Sequence, residues 1–389
     1  MKYFIIAGEA SGDIHGAQLI RSLREQDTDA QIHFLGGDLM AAQAGTQPII
    51  HYRDMAFMGF IEVAKHLGSI LGFMKRAKQE IDSFAPDAVI LIDYPSFNLK
   101  IARYAHSHGI PTYYFISPKV WAWKEYRVRD IKRYVRRVFS ILPFEVDFYR
   151  KHNYDVCYVG NPTVKEIDEA TADFSPKNEF CAAHGLDSNA PIIAIVPGSR
   201  QKEIRDNLPT MLSAARQITG FQIVIAGAPG IDPELYRDVA GESSDSPIVQ
   251  GHTFQLVHHA TAALVTSGTA TLETALLGTP QVACYRMNGS KLLYRLYSLF
   301  IKGKYVTLPN LITDSPLIPE LLLHHCTPHN ILHHLRQITA PSPQLTAMQH
   351  GYARLRHILG TQDCAATTAA EIIKELKQAD QNNKHQITA

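Results

Sequence analysis

At 389 residues, the chain is longer than one hydrophobic core usually supports, so two domains are expected. Hydrophobic residues make up 46% and charged residues 19%, a globular balance, and the formal net charge of +1 excludes a general nucleic-acid binder. Cys157, Cys181, Cys284, Cys326 and Cys364 are scattered without a CxxC pair and read as reduced thiols of a cytoplasmic protein. The opening MKYFIIAGEA has too short an apolar run for a signal peptide, and no run of about 18 apolar residues is present to span a membrane.

In chain order, short β-rich runs alternate with helical patterns. YFIIA (3–7), IHFLG (32–36), AVILI (88–92), TYYFI (112–116), VFSIL (138–142) and VCYVG (156–160) are nearly continuous in apolar residues. That is the pattern of strands buried on both faces of a parallel sheet. The polar stretch 161–180, punctuated by Pro162 and Pro176, marks a domain boundary. A second series follows in IIAIV (192–196), FQIVIAG (221–227), AALVT (262–266), QVACY (281–285) and YVTL (305–308). Strand, helix, strand order on both sides of a linker predicts an α/β protein of two doubly wound domains, residues 1–162 and 163–350. Helices over 351–378, expected to return to the first domain, and a disordered tail over 379–389 complete the chain. Ligands of such sheets sit beyond the carboxyl ends of the strands, so a cleft between the domains is the expected site.

Three loops at strand ends carry chemical signals. In FIIAGEASGDIHG (4–16), Gly8, Gly12 and Gly16 lie four apart, as in many phosphate-cradling turns, but Glu9 and Asp13 share the turn and repel a phosphate unless a cation intervenes. IIAIVPGSRQKEI (192–204) is a more favourable phosphate site. A buried strand leads through Pro-Gly-Ser to Arg200 and a helix, so Gly198 and Ser199 present N–H groups at a helix N-terminus beside a guanidinium. An ordinary turn with Arg200 in a surface ion pair fits the same residues. LVTSGTATLETALLGTP (264–280) repeats the plan: Ser267, Gly268 and Thr269 offer hydroxyls and amides to a second phosphate, and Glu273 one turn on can accept from ribose hydroxyls or lie on a solvated helix face. Together the two loops fit a nucleoside diphosphate. A dinucleotide cofactor is the alternative, but neither half shows GxGxxG after its first strand.

AGEASGD, MGFIEV, SPKVWAW, LPFE, PGSR, SGTATLE, YRM and LPNL, in this order from residue 7 to 311, resemble the lipid-A-disaccharide synthase family, bacterial inverting glycosyltransferases of the GT-B type. The resemblance implies transfer of a 2,3-diacylglucosamine unit from UDP to the 6-hydroxyl of 2,3-diacylglucosamine 1-phosphate, giving the β-1′,6-linked disaccharide of lipid A and UDP. It assigns the sugar nucleotide to the C-terminal domain, so the loop with Gly8, Glu9, Ser11, Gly12 and Asp13 belongs to the acceptor side. Gly8 and Gly12 permit a tight turn there, and Asp13 also suits capping the helix that starts near Ile14.

Asp93 follows the AVILI strand directly, where a side chain can reach the cleft. A carboxylate there can take the acceptor's proton while the oxygen attacks the anomeric carbon opposite UDP; capping the next helix is its bland alternative. Members of the family commonly carry a second aspartate three residues on, where this chain has Ser96, so Asp93 stands without that partner. Leaving-group charge is expected to fall on Arg200 and the two loops, with no metal and no cofactor. The DTD at 27–29 has a metal-binding spelling but lies in a polar connection, and the cluster of Cys326, His329 and His333 reads as surface histidines rather than a zinc set. Arg286 in YRM and Asn310 in LPNL match family positions and are candidates for contact with nucleotide or sugar.

Both implied substrates carry acyl chains, which points to peripheral attachment at the cytoplasmic face of the inner membrane. Met58, Phe60 and the apolar residues that follow at helical spacing to Met74 are candidates to face lipid or the core, and Trp121 and Trp123 lie in the most basic stretch of the chain. Self-association as a homodimer is left open. Another GT-B activity, such as a nucleotide-sugar epimerase or a soluble-acceptor transferase, would keep the second-domain loops without lipid-facing surfaces. A silent binding protein would hold UDP without turnover.

Overall fold

The computed structural model describes residues 1–55, 67–121, 124–241, 246–286 and 304–388. The chain divides into two compact units, Met1–Pro162 with Thr361–Ala389, and Thr163–Gly360.

The first unit is built on β1 (Lys2–Ala7), β2 (Gln31–Gly36), β3 (Ile50–His51), β4 (Ala88–Ile92), β5 (Thr112–Phe115), β6 (Arg137–Ser140) and β7 (Cys157–Tyr158). All pair in parallel, in the spatial order β3-β2-β1-β4-β5-β6-β7. Tyr3, Ile5, Ala7, Ile90 and Ile92 pack on one side of the sheet, while Phe4, Ile6, Val89 and Leu91 pack on the other. Both faces are dry, which is why these strands are apolar at every position rather than at alternate ones. The helices Leu67–Phe84 and Pro95–Ser107 cover one face; Ala10–Gln26 and the final helix, Cys364–Thr388, cover the other.

That final helix buries Ala369, Ile372, Ile373 and Leu376 against β1 and its neighbours. Arg137 Nη1 reaches Glu371 at 3.1 Å and Glu375 at 2.6 Å, and Arg136 Nε reaches Glu375 at 3.0 Å. Ion pairs of this partly exposed kind contribute about 0–1 kcal/mol, against about 1.5–3 kcal/mol for each large apolar side chain buried. Packing therefore holds the helix and the ion pairs fix its register.

The second unit repeats the plan with β8 (Ile192–Val196), β9 (Gln222–Gly227), β10 (Ile248–Gln250), β11 (Ala262–Thr266), β12 (Gln281–Tyr285) and β13 (Glu320–Leu322), parallel in the order β10-β9-β8-β11-β12-β13. In each sheet the order reverses next to its first strand. The loops leaving β1 and β4, and those leaving β8 and β11, therefore diverge and open a crevice at the carboxyl edge.

The structure departs from the sequence reading in four places. YVTL is not a strand, because the Glu320 carboxylate takes the N–H groups of Val306 (3.1 Å) and Thr307 (2.8 Å), and the helix Leu308–Thr313 starts there. The edge strands β3, β10 and β13 have only two or three residues and show no periodicity to read. The helix Pro343–Leu359 stays in the second unit, and only the segment from Thr361 joins the first. Finally, residues beyond 378 continue the last helix to Thr388 in place of a disordered tail.

Candidate active site

At the first switch point, β1 ends at Ala7 and β4 at Ile92, in register with each other. Gly8 and Glu9 leave one strand, and Asp93 and Tyr94 leave the other. Asp93 (φ 42) and Tyr94 (φ 45) are both left-handed, a conformation that costs a non-glycine residue about 1–2 kcal/mol. The surroundings impose it. Asn98 Nδ2 donates to the carbonyls of Asp93 (2.7 Å) and Ile92 (3.1 Å), the buried Tyr114 hydroxyl donates to the Asp93 carbonyl, and Tyr94 Oη donates to the Met55 carbonyl at 3.0 Å. A Cβ on Gly8 would lie 2.3 Å from the Tyr94 ring, so the glycine is required by the packing of this turn.

The Asp93 carboxyl is half-buried, and burial pushes its pKa up. The Glu9 charge raises it further, while the Lys119 ammonium and the Tyr94 N–H pull the other way. Glu9 is exposed and is the N-cap residue of the helix Ala10–Gln26, with Ser11 also exposed beside it. Three residues on from Asp93, Ser96 Oγ accepts from Arg127 Nη2 at 3.0 Å. The arrangement is a carboxyl of raised proton affinity on a fixed backbone, with the Glu9 charge acting on it, suited to accepting a proton from a hydroxyl.

At the second switch point, Gly198 adopts φ 117, and the Ser199 N–H donates to Glu203 Oε2 at 3.2 Å. Arg200 Nη1 lies 3.4 Å from Glu203 Oε1, and its side chain is 70% exposed. Glu203 is in the first turn of the helix Gln201–Ala215, so a carboxylate of the chain itself sits on the donors of the loop. Asn207 Nδ2 donates to the Glu203 carbonyl (2.9 Å), and its Oδ1 accepts the Arg286 N–H at 2.7 Å. Arg286 Nη1 also donates to Thr210 Oγ1 at 2.6 Å. The end of β12 is thereby tied to the helix that begins at the Gly198–Arg200 loop.

In the loop after β11, Gly268 is the N-cap residue of the helix Thr269–Leu276. Glu273, half-buried on that helix, is pushed up to about 7, chiefly by burial and then by the Glu166 charge, with the Thr269 hydroxyl opposing. A ligand hydroxyl donating to it would favour its charged form.

Several residues read as contacts from the sequence are held within the fold. Asp13, 3% exposed, accepts the N–H groups of Gly37 (2.8 Å), Leu39 (3.1 Å) and Met40 (3.1 Å), capping the helix Asp38–Ala44 rather than its own helix or an acceptor. Gly12 sits close over β1, where a Cβ would come within 3.1 Å of Ala7 Cβ. Asn310, 1% exposed, donates to the Ile318 carbonyl (2.9 Å) and Glu320 (3.0 Å) and accepts the Ile318 N–H (2.8 Å), so its amide fastens the chain to itself. The Ser267 N–H donates to the Cys284 carbonyl at 3.1 Å and is withdrawn from the phosphate donors. Trp121, half-buried, has intramolecular partners: its Nε1 donates to Glu145 at 3.0 Å and its ring meets Phe144 edge-on. Met58, Phe60 and Trp123 lie outside the described residues.

The sequence reading missed Glu203, Asn207, Lys119 and Glu145. LPFE contains Glu145, yet a glutamate in the first turn of a helix normally faces water, and only the fold shows that this one is 1% exposed.

Two doubly wound parallel sheets, each with its polar loops at the switch point, define the GT-B class, as expected from the sequence. Solved structures agree on the fold. UDP-GlcNAc 2-epimerase from Neisseria meningitidis, bound to UDP-GlcNAc, aligns with a TM-score of 0.60 at 13% identity over 97% of this chain and 100% of that one. CalG4, the calicheamicin glycosyltransferase, aligns with a TM-score of 0.59 at 14% identity over 97% and 98%. Residues 3–375 match the family described as lipid-A-disaccharide synthetase. The lipid-A-disaccharide synthase of Myxococcus xanthus is 39% identical over 383 residues, 96% of this chain and 97% of that protein. The chain belongs to the lipid-A-disaccharide synthetase family, glycosyltransferases of lipid A biosynthesis.

Proposed function

We propose that the chain joins UDP-2,3-diacylglucosamine to 2,3-diacylglucosamine 1-phosphate, releasing UDP and the β-1′,6-linked disaccharide 1-phosphate. The observation that carries the mechanism is the Asp93 carboxyl, borne on a backbone held at a switch point, with its proton affinity raised by burial and by Glu9. Asp93 accepts the proton of the acceptor 6-hydroxyl as that oxygen attacks the anomeric carbon from the face opposite UDP. The C–O bond to the new sugar forms as the bond to the UDP oxygen breaks, inverting the centre in one displacement.

In the second unit, Arg200, Gly198, Ser199, Gly268 and Thr269 receive the diphosphate and the charge that grows on it, without a divalent metal. The carboxylate of Glu203 already rests on the Ser199 N–H and near Arg200, which supports an oxyanion-binding role for that loop. Glu273 accepts from ribose hydroxyls, and Arg286 braces the phosphate loop through Asn207 and Thr210. Glu9 and Ser11 face the acceptor.

The acyl chains of both substrates call for attachment to the cytoplasmic face of the inner membrane. Among the described residues no helix is long and apolar enough to cross a membrane, and the exposed Leu71 and Leu39 of the first unit fit a surface that touches lipid. Mass spectrometry of the product, from both substrates in detergent micelles with excess EDTA, tests the reading. Disaccharide 1-phosphate is expected. Product that appears only when magnesium is restored would overturn the leaving-group assignment, and none under either condition from folded protein would overturn the activity.

A further inference from the structure

We propose that Glu203 is an internal competitor of the nucleotide: its carboxylate occupies the donors of the Gly198–Arg200 loop, UDP binds by displacing it, and its return helps UDP to leave. This rests on the reading of that loop as the diphosphate site. Glu203 thereby sets how tightly the leaving product is held.

The contacts of the side chain place it on the loop. Glu203 Oε2 accepts the Ser199 N–H at 3.2 Å, and Oε1 lies 3.4 Å from Arg200 Nη1. The side chain also lies against Gly198, where a Cβ would come within 2.7 Å of both Glu203 Cβ and Glu203 Oε2. One carboxylate therefore sits where a loop amide and a guanidinium converge, and a phosphate oxygen would use the same two donors.

An ordinary helix cap does not account for this placement. Arg200 is the N-cap residue of the helix Gln201–Ala215, which puts Glu203 at the third helical position. In a capping box a glutamate there turns back to the N–H of the N-cap residue itself. Here it reaches one residue further, to Ser199, and meets the Arg200 side chain as well. Both contacts are long, and the Arg200 partner is 70% exposed, so they are of a kind that water and ligands replace easily. The main chain of Glu203 is fastened more firmly. Its carbonyl accepts from Asn207 Nδ2 at 2.9 Å, and Asn207 is buried and also takes the Arg286 N–H. Displacing the carboxylate therefore needs only a rotation of the side chain, with helix and loop left in place.

Two anions cannot use one set of donors, and a carboxylate left beside a bound diphosphate repels it. UDP affinity is then the difference between what the loop offers the diphosphate and what it already offers Glu203. Because UDP must leave after every transfer, that subtraction shortens the life of the product complex. Glutamine at 203 keeps an oxygen for the Ser199 N–H and removes the charge. Calorimetry is expected to show E203Q binding UDP about three- to tenfold more tightly than the wild type, with the constant for product inhibition by UDP lowered in step. Uridine, which has no phosphate, is expected to gain nothing from the substitution. A general change in the shape or stability of the unit would not separate the two ligands.

The proposal is overturned if the wild type binds UDP and E203Q binds it no more tightly, which is the result for a glutamate that only caps its helix, or if uridine gains as much as UDP. Should E203Q fail to fold, E203A, at a helix position that suits alanine, is read with the same two ligands. Should neither the wild type nor a variant bind UDP, the nucleotide reading of the loop falls, and this inference with it.

Discussion

Where β4 ends, Asp93 is half-buried on a fixed backbone, whereas where β8 ends the charged group of the loop stands at the surface with a partner that can be exchanged. Asp93 is locked by two left-handed residues and by the Asn98 and Tyr114 hydrogen bonds, and burial raises its proton affinity. Arg200 is 70% exposed, and the Ser199 N–H rests on Glu203, a side chain that can rotate away. A group that must react in one geometry gains from rigidity. A group that must receive and release a charged nucleotide gains from a weak, replaceable partner, because a tighter internal bond would subtract from ligand affinity.

The sharpest way to break this contrast is Asp93→Asn, which keeps the shape and removes the base. Its kcat is expected to fall by about 10²–10⁴-fold. Arg200→Ala should instead weaken UDP binding by about 10–100-fold in calorimetry, the value of a charge-assisted hydrogen bond of about 1.5–3 kcal/mol. Equal losses of UDP affinity in both variants would erase the distinction.

Smaller effects sharpen it. The folded chain keeps the Glu145 proton up to about pH 8, whereas an unfolded chain releases it near pH 4. Stability is therefore lost progressively as pH rises across that window and levels off above it, since the unfolded state binds fewer protons there. Thermal melts of E145Q should match the wild type near pH 4 and exceed it by a few degrees at pH 8. A constant difference at every pH would contradict a buried neutral acid. The smallest change is expected of Glu9→Gln. Removing a charge that raises the Asp93 pKa should move the acid limb of kcat/KM to lower pH, by a fraction of a unit.

What could be read from the sequence was whatever local pattern determines. Continuous apolar runs located the long strands, and a strand end followed by a polar residue and a helix located Asp93 and the Gly198–Arg200 loop. What escaped depends on contacts distant in sequence. Asp13 looks like a cap for its own helix, yet the helix it caps starts 25 residues later, at Asp38. YVTL has the composition of a strand, but its N–H groups belong to Glu320. Glu145 is the clearest case, since its chemistry comes from being buried between Ser140 and Trp121, which no spacing announces.

The division of labour between the two switch points is tested most directly by measuring UDP binding and turnover on one preparation of Asp93→Asn. UDP affinity equal to that of the wild type, with disaccharide formation down by at least about 10²-fold, is the result expected. Turnover within about tenfold of the wild type, or UDP affinity lost together with turnover, would contradict the assignment of Asp93 as the base.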